Sequence, residues 1–144
     1  MNPKDIEVLN ELRKNSRGSL TDIGFKTEMP LSTVFKRVMR LEDKTISRYV
    51  SLMNFEAIGY PLKVAAFITT KSMSEANEWL MDHPNINNLF KLTEGRLYAE
   101  LLFKSWSDYE DFMDNLTENK AIGTVKTHFM TDIKQETFKI PGGE

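Results

Sequence analysis

The sequence predicts an α+β chain in two parts: three short helices and a strand over residues 1–54, then a duplicated strand–helix–strand unit over residues 55–144. Three observations carry this reading. Apolar residues recur at helical spacing through the first 41 positions, runs of strand composition alternate with two amphipathic segments after residue 61, and charge divides between the halves. Residues 1–54 hold ten Lys and Arg against seven Asp and Glu, a net of +3, whereas the remainder hold nine against fourteen, a net of −5, within an overall −2.

Ile6, Leu9 and Leu12, with Val8 beside them, place a first helix at Pro3–Lys14, where Pro3 is tolerated in the first turn. Asn15, Ser16 and Gly18 break it. A second helix over residues 20–26 turns Leu20 and Ile23 inward, capped by Ser19 or Thr21, and residues 27–30 turn the chain again. Residues 29–41 (MPLSTVFKRVMRL) then sort into two stripes. Val34, Val38 and Leu41 are apolar, while Thr33, Lys36, Arg37 and Arg40 repeat the same spacing on the other side, with no acidic residue to offset them. Residues 46–52 (ISRYVSL) read as a strand that would stand beside the helices as a wing.

A helix with one anchoring face and one face of hydroxyls and cations suits the major groove of double-stranded DNA, which is just wide enough to admit it. Three short helices with a basic third is the order of a helix-turn-helix. Lys36, Arg37 and Arg40 are then the groups for phosphates and guanine edges, and Arg48 on the wing adds a backbone contact. Ser32 and Thr33 bring hydroxyls and backbone N–H groups to phosphate at the helix N-terminus. Phe35 falls between the stripes, either at the edge of the core or against a thymine methyl. A solvated amphipathic helix that is merely basic is the plainer alternative.

In the back half, Leu62–Thr70 is a mostly apolar strand. Ser74 is expected to open a helix with Ala76, Trp79, Leu80 and His83 inward, ended by Pro84. Strands follow at residues 86–93 and 97–103 around a turn at Gly95, then a capping box of Ser107 and Glu110 ahead of a helix burying Tyr109, Phe112, Met113 and Leu116. The two helices share one internal spacing, which points to a repeated β-α-β unit in a ferredoxin-like split arrangement. Residues 124–130 make the last strand, and residues 133–140 could extend or pair as one more. Two helices cover one face of such a sheet, so a second copy is expected on the other, giving a homodimer.

The absence of cysteine excludes disulfides, thiolate catalysis and thiolate metal sites. His83 and His128 stand far apart without carboxylates at ligand spacing, so neither a metal nor another cofactor is expected. No glycine-rich phosphate loop or nucleophile elbow is present, and Glu110, Asp111 and Asp114 read as a solvated helix face. The expectation is a non-enzyme. No apolar run approaches 18 residues and no charged-then-apolar leader is seen, so a soluble cytoplasmic protein without membrane contact is expected.

Several stretches are familiar together. Asp5-Ile6 with Leu9 and Leu12, Asn15-Ser16-Arg17, the run from Ser32 through Val38, Arg40-Leu41-Glu42, Asn54 and Gly59-Tyr60-Pro61 resemble the Lrp/AsnC family of feast-or-famine transcription regulators. The resemblance runs the full length of the chain and is most specific in the first 61 residues. It implies a winged helix-turn-helix over residues 1–54 with a hinge strand, and a ferredoxin-like βαββαβ (RAM-type) domain over residues 55–144 that dimerises and often assembles further. It also implies a pseudo-palindromic DNA site and an amino-acid-like effector near the loop of Thr93, Glu94, Gly95, Arg96 and Tyr98. In that loop the family pattern is Gly-x-x-Asp, and here Tyr98 stands at the aspartate position. A phenol is not ionised near neutral pH and cannot pair with an ammonium group as a carboxylate would. Either Glu94 or Glu100 substitutes, or the ligand differs, or nothing is sensed. The segment Glu42-Asp43-Lys44-Thr45-Ile46 also departs, lacking the usual glycine and running one residue short. Two other readings stand beside regulation: an enzyme like the sirohaem decarboxylases, which look like this family in architecture, and a sensing or assembly module without DNA affinity.

Overall fold

The computed structural model describes residues 1–143. The chain forms two compact units: Met1–Leu52, joined by the tail from Ile133 onward, and Met53–Asp132.

The first unit holds α1 (Pro3–Lys14), α2 (Leu20–Thr27) and α3 (Leu31–Lys44). Asn2 caps α1 by accepting from the Lys4 N–H, and Ser19 caps α2 by accepting from Asp22, which settles the choice between Ser19 and Thr21. Val8, Leu9, Leu12, Ile23, Val34, Val38 and Leu41 meet in one core. Gly24 lets the turn that leads into α3 fold back onto α2: a Cβ there would lie 2.8 Å from the Met29 carbonyl oxygen. Glu28 takes a left-handed conformation (φ 54°) to close the turn between them.

Two expected strands in this unit are absent among the described residues. Residues 46–52 carry no sheet pairing, because no neighbouring segment of the unit offers them a ladder of hydrogen bonds. What holds this stretch is side-chain chemistry: the Tyr49 hydroxyl donates to Glu42 Oε1 at 3.0 Å. Burial first, then the Glu42 carboxylate, pushes that phenol up to about 12. Residues 133–140 likewise form no strand, and instead lie along α1. Asn10 Nδ2 donates to the Ile140 carbonyl at 2.9 Å and its Oδ1 accepts from the Ile140 N–H at 3.0 Å. Arg13 Nε donates to the Phe138 carbonyl at 3.0 Å, and Ile140 packs against the core.

The second unit is a four-stranded antiparallel sheet in the order β2-β3-β1-β4, built from β1 (Leu62–Thr70), β2 (Ile86–Leu92), β3 (Arg96–Phe103) and β4 (Ile122–Phe129). With α4 (Met73–Met81) after β1 and α5 (Trp106–Glu118) after β3, the order is the ferredoxin-like βαββαβ. Val64, Ala66 and Ile68 on β1 and Leu97, Ala99, Leu101 and Phe103 on β3 meet Ala76, Leu80, Phe112 and Leu116 from the helices.

Both helices start two residues earlier than their serines suggested. Ser72 and Ser105 occupy the cap positions in place of Ser74 and Ser107, and Ser105 accepts from the Asp108 N–H at 3.2 Å. The shift is the same in both, so the shared spacing of inward residues survives. His83 lies just beyond α4, in ring contact with Trp79 and Phe112, and burial lowers its pKa. Among the described residues, no helix is long and apolar enough to cross a membrane.

Candidate nucleic-acid interface

The surface of interest is the solvent face of α3. Pro30 is its N-cap and supplies no side-chain bond, and the first turn contains no acidic residue. Thr33 N–H donates to the Pro30 carbonyl at 2.9 Å, which leaves the Leu31 and Ser32 backbone N–H groups for an external acceptor, and Ser32 adds an exposed hydroxyl beside them. Thr33 is half-buried. Lys36 points into solvent and, among the described residues, makes no ion pair, as does Arg48 beyond the helix.

The two arginines behave differently. Arg37 Nη1 and Arg40 Nη2 each lie 2.5 Å from Asp5 Oδ1, joining α3 to α1. The Arg37 side chain is only 20% exposed, whereas that of Arg40 is 52% exposed and keeps most of its guanidinium in water. Arg37, expected to reach DNA, has its charge paired with an aspartate inside the unit. Burial would push the Asp5 carboxyl up, but the hydrogen bonds and charges of Arg37 and Arg40 outweigh it and hold it below its ordinary value. Arg37 Nε is buried without a partner among the described residues.

Phe35 is 52% exposed and Met39, one turn on, 53% exposed, so neither belongs to the core. Their apolar flank lies beside Ser32 and Lys36 on the helix surface, with Arg40 on the far side. Phe25 on α2 is 89% exposed. Sequence reasoning missed both the Asp5 anchor and Met39. The first had a signal, since Asp5 falls at the same helical spacing as buried Leu9 and Leu12 and so must face inward. Met39 had none beyond its position between the stripes.

The residues expected near an effector sit on and beside the β2–β3 hairpin. Thr93, Glu94, Gly95 and Arg96 form its tip, with Glu94 and Gly95 at positive φ (61° and 67°) and Glu94 Oε2 3.1 Å from Arg96. Tyr98 is not at the tip. It lies on the sheet face opposite the helices, stacked on Phe90 at 5.8 Å and tilted against Phe67 at 5.2 Å. Burial, then Glu100, raises its pKa. Glu100 is itself occupied, 3.2 Å from Lys63 Nζ and accepting from Asn87 and Asn88, which leaves Glu94 as the exposed carboxylate of the hairpin. Among the described residues no cluster of His, Cys, Asp and Glu is suited to a metal ion.

Comparison with known proteins bears on both units. A family model described as winged helix-turn-helix DNA-binding matches residues 1–44. The HTH-type transcriptional regulator FL11 of Pyrococcus furiosus is 23% identical over 141 residues, covering 95% of this chain and 93% of its own. Among solved structures, the transcriptional regulator NMB0573 of Neisseria meningitidis, solved in complex with L-Met, superposes with a TM-score of 0.86 over 98% of this chain and 96% of its own, at 20% identity. Bacillus subtilis LrpC superposes with a TM-score of 0.84 over 94% and 98%, at 21% identity. At these identities the superpositions establish the fold.

Proposed function

We infer that the chain belongs to the Lrp/AsnC family of transcription regulators, and from that premise we propose that it reads a pseudo-palindromic site in double-stranded DNA as a homodimer. The observation that carries the proposal is the solvent face of α3, where an uncapped N-terminus, Ser32, Lys36 and the half-exposed Arg40 stand together with no acidic residue between Leu31 and Leu41. Ser32, Thr33, Lys36, Arg40 and Arg48 supply phosphate and base contacts, Phe35 adds apolar contact, and Arg37 acts by holding α3 against α1.

Residues 1–54 are assigned to DNA reading and residues 55–144 to dimerisation and sensing, with the tail from Ile133 returning to brace the first unit. The uncovered sheet face supports dimerisation. Its charges are largely paired within the unit, Lys63 with Glu100 and Asp132, beside exposed Phe67 and Phe90. Assembly of dimers into larger oligomers is the expectation from the family. Such a regulator works in the cytoplasm. An amino-acid-like effector at Thr93, Glu94, Gly95 and Arg96 is supported by the complex of the Neisseria relative with L-Met, with Glu94 rather than Tyr98 as the carboxylate for its ammonium group.

Regulation is favoured over catalysis because the curated relatives are named as regulators, and exposed Lys36 and Arg40 favour DNA binding over a sensing module without it. The test is selection of bound DNA from a genomic pool, the recovered site being remeasured by fluorescence anisotropy across a salt series. A pseudo-palindrome bound well above random DNA, with affinity falling as salt rises, is expected. Equal weak binding to all sequences would refute the reading.

A further inference from the structure

The core of the first unit accounts for Val34, Val38 and Leu41 of α3 but not for a second apolar stripe on the same helix. Leu31, Phe35 and Met39 recur at four-residue spacing and are each about half exposed (53%, 52% and 53%). Such a stripe in so small a unit costs stability unless something covers it, and exposed apolar surface at this density marks a contact site. Its neighbours restrict what that something is. Ser32 and Lys36 border it, Arg40 lies beyond them, and no acidic residue falls between Leu31 and Leu41, so the occupant carries negative charge beside small apolar groups. The major groove of DNA has both: phosphates along its rims, and the C5-methyl of each thymine on its floor.

We propose that Phe35 and Met39 are specificity-determining residues that read thymine methyl groups, while Lys36 and Arg40 hold the flanking phosphates. The inference rests on the DNA-binding reading and deepens it. It requires each half-site to carry an A·T pair with its thymine on the strand facing the Phe35–Met39 flank. The two side chains lie about one helical turn apart, so they touch either one methyl together or two methyls within about two base-pair steps.

The test replaces thymine by uracil, one position at a time, in the site recovered by selection. This removes the methyl and leaves every hydrogen-bonding edge in place. Wild-type affinity should fall about fourfold per methyl contacted, the worth of burying one such group. Phe35→Ala and Met39→Ala should bind the thymine site more weakly and lose the discrimination against uracil, with unchanged circular dichroism and unchanged oligomer mass. The wild-type comparison needs no variant, so it stands even if a substitution misfolds. A recovered site bound equally with thymine and uracil at every position would overturn the inference and leave the regulator reading intact. So would discrimination that persists in both variants, or a drop in oligomer mass on Phe35→Ala, which would assign the stripe to contact between copies. If no site is recovered at all, the reading and the inference fall together.

Discussion

Arg37 Nη1 lies 2.5 Å from Asp5 Oδ1, a contact that ties α3 to α1 beside their shared core. Arg40 joins the same carboxylate oxygen from one turn further on, so two adjacent turns of α3 are tied to one residue of α1. The side of α3 that carries Arg37 is thereby turned toward α1, and Ser32, Lys36 and Met39 are left facing outward. Together with the packing of Val34, Val38 and Leu41, this ion pair determines which side chains of the helix face solvent.

Replacing Asp5 by Asn keeps the shape but leaves Arg37 partly buried and unbalanced, and should lower stability by about 2 kcal/mol. The pH dependence follows from the sign of the shift. The Asp5 carboxyl is held below its ordinary value in the folded state, so its contribution is fully present above the unfolded value near 4 and is lost as pH falls through the folded value. Wild type should lose stability on acidification below about pH 4, and Asp5→Asn should lack that component. Thermal unfolding at pH 7 and at pH 3, followed by circular dichroism, measures both.

Lys36→Ala tests the opposite kind of residue. Its side chain is exposed and makes no ion pair among the described residues, so folding should be unaffected within about 0.5 kcal/mol. Binding should weaken across all sequences alike, and the slope of log affinity against log salt should shrink by about 1, as expected for one lost phosphate contact. Anisotropy titrations at several salt concentrations give the slope directly. Loss of specificity with an unchanged slope would instead place Lys36 on a base edge.

How legible these residues were in the sequence depended on whether local pattern or distant partners decided them. The stripe of Val34, Val38 and Leu41 was legible because helical periodicity alone separates core from solvent, and the matched spacing in α4 and α5 announced the repeated unit. The caps were misplaced because serines stand two residues apart at both helix starts, and only backbone geometry distinguishes them. The pairing of Arg37 was hidden because its partner Asp5 is 32 positions away. The fate of residues 133–140 was hidden for the same reason, since Asn10 lies 130 positions from Ile140.

That tail provides a further prediction. Ile140 packs against the first core, Asn10 bonds its backbone in both directions, and a Cβ on Gly143 would come within 2.8 Å of Ile6 Cγ2. Ile140→Ala should therefore destabilise the first unit by about 1–2 kcal/mol, less than a fully buried truncation because Ile140 is only partly covered. Hydrogen exchange should report faster exchange in α1 with the sheet unit unchanged. Uniform exchange rates across both units would show that the tail does not brace the helices.

The uncovered sheet face yields the last prediction. Phe67 is half exposed at its centre, in ring contact with Tyr98 and, at 6.3 Å, with His128, and the carboxylates of Glu100 and Asp132 are already taken by Lys63 further along β1. In the proposed dimer a lysine introduced at Phe67 would face its own copy across a two-fold axis, where it would be desolvated and would meet like charge from Lys126, its register partner on β4. Phe67→Lys should convert the proposed dimer to a monomer at micromolar concentration, as measured by light scattering. The fold of each unit should survive, because Phe67 points away from the core that Val64, Ala66 and Ile68 share with the helices. DNA affinity should fall in parallel, since one half-site then binds without its partner. A wild-type protein that is already monomeric at micromolar concentration would remove the basis for a pseudo-palindromic site, and an unchanged dimer in Phe67→Lys would move the interface off this face.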